Sequence, residues 1–168
     1  MKKILCILFS LSVLCSGCSD YKKSSAVTAV TSGLSFTAEI SHRDTLFDYF
    51  VKIDKNGNTY MESLSKEDSA INYVFKGTKV TYKYNSLEYS SDISSLPKGS
   101  VIDFIPTVFK QLEERANNVH YKNEQYYVTD STQKYDFIFF LGESGLPLKI
   151  TDDRNGISVI IKNPALIS

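Results

Sequence analysis

The feature that most constrains this chain is a two-residue alternation of apolar and polar side chains, repeated in short runs between turn signals. Phe36, Ala38 and Ile40 alternate with Ser35, Thr37 and Glu39, so an extended chain here is apolar on one face and polar on the other. Phe47, Tyr49, Val51 and Ile53 continue the pattern. Asn56-Gly57 follows, the strongest short-range hairpin signal, with its partner strand over 59–64. The run Asp54 to Asn58 also resembles the start of a calcium loop. Such a loop wants glycine at its sixth position and glutamate at its twelfth, and those places hold Thr59 and Ser65, so the run reads as a turn. After the polar connection 65–70, Ile71, Tyr73 and Phe75 turn at Lys76-Gly77 and return as Val80, Tyr82 and Tyr84. Leu87 and Tyr89 extend the pattern towards a further strand, which Leu96-Pro97-Lys98-Gly99 breaks.

Over 100–118 the period changes. Val101, Ile102, Phe104, Ile105, Val108, Phe109 and Leu112 recur at helical spacing. Ser100 followed by Asp103 resembles a capping box. Pro106 inside such a helix removes a hydrogen bond, so a kink, or a fresh helix starting at Pro106, is expected there. A stripe this broad must be buried, and the sheet is what can bury it. Strands then resume over 121–129, 134–141, 146–151 and 157–162, separated by Gly142-Glu143-Ser144-Gly145 and Asn155-Gly156. Asp152-Asp153, just before Asn155-Gly156, reads as turn chemistry. The count is about ten antiparallel strands with one helical insertion.

The first eighteen residues say where such a fold would work. Lys2 and Lys3 precede an apolar run, Ile4 to Leu14, that is too short for the roughly 20 residues of a membrane span. Ser16-Gly17 then precedes Cys18. Small residues just before a cysteine resemble the lipobox of bacterial lipoproteins, although the place where leucine is usual holds Cys15. The resemblance implies cleavage after Gly17 and a diacylglycerol on the Cys18 thiol. Residues 1–17 are then a lipoprotein signal peptide, 18–32 the lipidated cysteine and a small, polar, flexible tether, and 33–168 one domain. The chain has three cysteines, Cys6, Cys15 and Cys18. Once the signal is removed, only Cys18 remains, so no disulfide supports the fold and its core must do so alone. Two acyl chains suffice for stable anchoring, so the expected place is the extracytoplasmic face of the cell membrane.

Charge excludes several partners. The chain has 19 basic and 19 acidic residues, and without Lys2 and Lys3 the balance is slightly acidic. Nothing recommends nucleic acid. His42 and His120 have no metal-ligand spacing, and no phosphate loop, dinucleotide fingerprint or nucleophile elbow occurs. No enzyme activity, metal or cofactor is expected.

The order of elements, with Gly145-Leu146-Pro147-Leu148-Lys149-Ile150 leading into the last hairpin, resembles the LolA/LolB/LppX-like superfamily of bacterial lipoprotein and lipid carriers over residues 33–163. The resemblance implies a mainly β fold with a helical insertion: an unclosed, curved antiparallel β-barrel with the helix packed on its concave side. It also implies a greasy cavity between sheet and helix for a lipid, an acyl chain or another hydrophobic small molecule. The residues expected to line it are Val101, Phe104, Ile105, Val108 and Phe109 from the helix. Tyr73, Phe75, Tyr82, Phe137 and Phe139 are those expected from the sheet. The same side chains would equally fill a solid core, leaving a surface lipoprotein that binds an unidentified protein partner.

Overall fold

The computed structural model describes residues 32–65, 70–115 and 119–167. The signal, Cys18 and nearly all of the tether therefore lie outside the described residues. So do most of the connection 65–70 and the expected end of the helix.

Among the described residues eleven strands form one antiparallel sheet. They are β1 (Leu34–His42), β2 (Thr45–Ile53), β3 (Thr59–Ser63), β4 (Asn72–Lys76), β5 (Lys79–Tyr84), β6 (Leu87–Asp92), β7 (His120–Lys122), β8 (Gln125–Ser131), β9 (Asp136–Leu141), β10 (Pro147–Asp152) and β11 (Ile157–Leu166). A short 3-10 turn, Ile93–Ser95, and one α-helix, α1 (Phe104–Arg115), are inserted between β6 and β7. The strand order is β6-β5-β4-β3-β2-β1-β11-β10-β9-β8-β7. Each strand lies beside its sequence neighbour except where the first and last strands meet at the centre. Edges β6 and β7 do not pair with one another, so the sheet is unclosed.

The alternation sets the register. Leu34, Phe36, Ala38 and Ile40 of β1 stand opposite Ile53, Val51, Tyr49 and Phe47 of β2. On the other side Ala38 and Ile40 stand opposite Ile161 and Val159 of β11. A one-residue slip would turn these side chains to water, which is why the register is fixed. The same face continues through Met61, Phe75 and Val80 on one wing and Ile150, Phe139 and Val128 on the other, all buried. Each large side chain buried in this way stabilises the fold by about 1.5–3 kcal/mol before the entropic cost of ordering it.

The sheet is curled. Eight inter-strand steps separate β6 from β9, which is about 38 Å in a flat sheet. Yet Lys134 Nζ, in the turn before β9, donates to the carbonyl of Ile93, just past β6, at 3.4 Å. Helix α1 packs on the apolar face. Phe109 stacks on Phe36 of β1, with ring centroids 5.4 Å apart, and meets the edge of Phe139 of β9 at 5.0 Å.

Three local expectations need correction. Residues 121–129 are not one strand but the hairpin of β7 and β8, turning at Asn123-Glu124. Both turn residues have positive φ, 52° and 61°, the pair of conformations that the right-handed twist of a two-residue hairpin requires. The helix starts at Phe104, not Ser100. The Thr107 amide donates to the Asp103 carbonyl at 3.1 Å, which makes Asp103 the residue just before the first turn. Pro106 therefore falls in that turn, where an amide has no intrahelical partner, and it calls for no kink. Third, the carboxylate of Asp103 does not reach back to Ser100 as a capping box would. It is held by Lys134 and Tyr135.

The turns that the sequence marked are built as turns. Asp54 Oδ1 accepts from the amides of Asn56 and Asn58, each at 2.9 Å, and Gly57 has φ 74°. Asp152 goes further than turn chemistry. It is fully buried at the end of β10, and its carboxylate accepts from the Asn155 amide at 3.3 Å and from Asn155 Nδ2. Asn155 Nδ2 also donates to the Lys134 carbonyl at 2.9 Å. Gly99, with φ 71°, lies against this held asparagine, and a Cβ there would collide with the Asn155 side chain. Gly99→Ala is therefore expected to cost about 1–3 kcal/mol from backbone strain and displacement of Asn155. The shift of the urea midpoint checks this.

Candidate functional site

The start of α1 is pinned to the sheet by a buried polar cluster. Asp103 is 1% exposed and Lys134 23%. Lys134 Nζ lies 2.7 Å from Asp103 Oδ2, and the Tyr135 hydroxyl donates to Asp103 Oδ1 at 2.6 Å. The same hydroxyl lies 2.7 Å from the Ser100 carbonyl. Burial, then the hydrogen bond to Asp103, then the charges of Asp103 and Asp152, push the Tyr135 phenol well above the ordinary tyrosine range. It stays a neutral donor. Phe104 packs edge-on against the Tyr135 ring, at 5.1 Å.

Beside this anchor runs an open cleft of about 590 Å³. One wall is the helix: Pro106, Thr107, Phe109, Lys110 and Gln111. The opposite wall is the β2–β3 hairpin, with Ile53, Lys55, Asn56, Gly57 and Thr59, and the β4–β5 hairpin, with Phe75, Gly77 and Thr78. The segment Asp92–Ser94, Asp103 and the turn Thr132–Lys134 complete its lining. Ile53, Phe75, Ile93, Pro106 and Phe109 supply apolar surface, and the turn residues supply a polar rim.

Of the residues expected to line a cavity, Phe75 and Phe109 are in this cleft. Val101, Phe104, Ile105, Val108, Tyr73, Tyr82, Phe137 and Phe139 are not among its lining. Phe104, Ile105, Val108, Phe137 and Phe139 are buried in the core that backs it. Val101 packs against that core part-buried. Tyr73 and Tyr82 belong to a row of rings, Tyr49–Tyr73–Tyr82–Tyr89, with successive centroids 6.0, 5.6 and 6.0 Å apart. Burial, with the neighbouring Tyr73 second, pushes the Tyr49 phenol up. The lining residues that the alternation does not mark are mostly in turns, where apolar period carries no information. Lys110 is legible only as part of the polar side of the helix.

His42 ends β1, and His120 lies on β7 with its ring 5.5 Å from that of Tyr127. Among the described residues no three His, Cys, Asp or Glu side chains are grouped to hold a metal ion. None of the described helices is long and apolar enough to cross a membrane.

The fold and cleft define a class: an open antiparallel half-barrel with one helix on its apolar face and a partly apolar groove along the helix. Several solved structures are similar to this chain in fold, and two of them carry names from the superfamily that the element order resembles. One is a LolA superfamily protein from Nitrosomonas europaea, at 12% identity and TM-score 0.46, covering 89% of this chain and 94% of that one. Another is the lipoprotein LppX of Mycobacterium tuberculosis, at 10% identity and TM-score 0.44, covering 86% and 91%. A third is LprF of Mycobacterium bovis, at 8% identity and TM-score 0.39, covering 91% and 95%. At these values the likeness is one of chain path, and neither family membership nor a ligand follows from it. No family model matches the chain, and no curated protein matches it.

Proposed function

We propose that this chain is a lipid-anchored, extracytoplasmic lipoprotein that binds a hydrophobic ligand, a lipid or an acyl chain, between its sheet and its helix. In this reading α1 lies on the concave side of the curled sheet. The cleft beside it is the ligand site, with Phe75 and Phe109 in contact with the ligand and Val101, Phe104, Ile105, Val108, Tyr73, Tyr82, Phe137 and Phe139 supporting that surface. The observation that carries the reading is the cleft itself. Its volume, about 590 Å³, lies in the range of small-molecule sites, and it combines an apolar floor with a few polar groups at the rim. Mass spectrometry of organic extracts of the purified protein tests it. A lipid recovered in stoichiometric amount supports the reading, and a clean extract from protein that also fails to take up added lipid opposes it.

The anchor is a separate prediction. Cys18→Ser should release the protein from the membrane fraction or leave a precursor that still carries residues 1–17. A variant that fractionates and migrates like wild type would contradict lipidation of Cys18.

One observation favours a protein-interaction surface instead. Leu87 and Tyr89 are 68% and 67% exposed on edge strand β6, whose outer backbone groups lack a strand partner among the described residues. Such an edge invites strand addition by another chain.

A further inference from the structure

Resting on the reading of the cleft as a lipid site, we infer that its ligand is a single-chain amphiphile with an anionic head group, held by Lys55 and Lys110. The volume sets the number of chains. A water molecule takes up about 30 Å³ of its liquid, and a methylene group takes up much the same. The cleft of about 590 Å³ therefore matches roughly twenty such groups, about the size of one acyl chain.

The charges set the head group. Five ionisable side chains of charged type line the cleft: Lys55, Lys110, Lys134, Asp92 and Asp103. Lys134 and Asp103 neutralise one another at 2.7 Å. Asp92 keeps its negative charge, its Oδ1 accepting from the Ser94 amide at 2.8 Å, so the three lysines of the lining outweigh its two aspartates by one charge. Lys55 and Lys110 have no ion pair among the described residues and are both exposed. They stand on different walls, one on the β2–β3 turn and one on α1, while Ile53, Phe75 and Phe109 contribute the apolar lining. Two hydrated ammonium groups at the lips of an apolar groove suit a ligand whose tail lies on the floor and whose charge stays at the water boundary. A fatty-acid carboxylate and the phosphate of a lysophospholipid share that chemistry.

The test uses the full lipidated chain in phosphatidylcholine nanodiscs, with empty discs as the blank. A fluorescent fatty acid is bound and then displaced by palmitate, palmitoyl lysophosphatidic acid, monopalmitoylglycerol or dipalmitoyl phosphatidic acid. Palmitate, the lysophosphatidic acid or both should displace the probe, and which of them does so identifies the source of the anion. Monopalmitoylglycerol should be about tenfold weaker, the worth of two exposed charge contacts. The diacyl lipid should not compete over the same range. The double variant Lys55→Gln, Lys110→Gln should lose about tenfold for the anions and nothing for monopalmitoylglycerol, with its melting temperature unchanged. Equal displacement by the neutral or the diacyl lipid overturns this inference and leaves the cleft reading standing. Absence of any saturable probe binding overturns both.

Discussion

Phe104→Ala is expected to destabilise the protein by about 3–5 kcal/mol, as truncation of a packed core phenylalanine does. Phe104 is fully buried, lies edge-on to Tyr135, and is walled off from the cleft. Phe109→Ala is expected to cost slightly less. Phe109 packs on Phe36 and Phe139 and is 2% exposed, and the small open part of its surface lines the cleft. The two variants should separate in a second measurement as well: Phe109→Ala should weaken binding of an acyl-chain probe, and Phe104→Ala should not while the protein is folded. Paired denaturant melts and probe titrations check both halves. Equal core-sized losses at the two positions, with binding unaffected by Phe109→Ala, would mean that the groove is incidental to a solid domain.

Lys134→Ala has the other large expected effect. It removes the cation from Asp103 while leaving that carboxylate 1% exposed, held only by the Tyr135 hydroxyl. Breaking a buried pair from one side costs about 3–5 kcal/mol, because the remaining charge is uncompensated. The Asn155 bond to the Lys134 carbonyl is a backbone contact and survives the change. Paired urea melts of wild type and variant measure the cost, and a loss under about 1 kcal/mol, the worth of an exposed ion pair, would contradict this account of the cluster.

The strands were legible because their signal is local. Phe36, Ala38 and Ile40 carry the period of two in their own spacing, and Asn56-Gly57 carries its turn in two residues. The β7–β8 hairpin was not legible, because Asn123-Glu124 adopts positive φ without the glycine that usually announces it. The helix start is hidden in the sequence for a different reason. Val101 and Ile102 extend the apolar stripe back towards Ser100, but the end of the helix is set by Asp103, whose partners Lys134 and Tyr135 lie about thirty residues away. The cleft followed the same division. Phe75 and Phe109 were readable as apolar positions of a strand and a helix. Lys55, Asn56 and Gly57 reach the cleft only because the sheet curls, and that is a property of all eleven strands together.

If the groove along α1 holds a hydrophobic ligand, filling the groove should abolish binding. Thr107 lines the groove from the first turns of the helix, and the chain contains no tryptophan. Thr107→Trp would therefore both fill the groove and introduce a single indole reporter. Titration of wild type with a fluorescent fatty acid should saturate at one ligand per chain. The same titration of Thr107→Trp, at unchanged circular dichroism, should show binding abolished or weakened at least tenfold. Saturable binding that is identical in the two proteins, or no saturable binding to wild type, would contradict the claim.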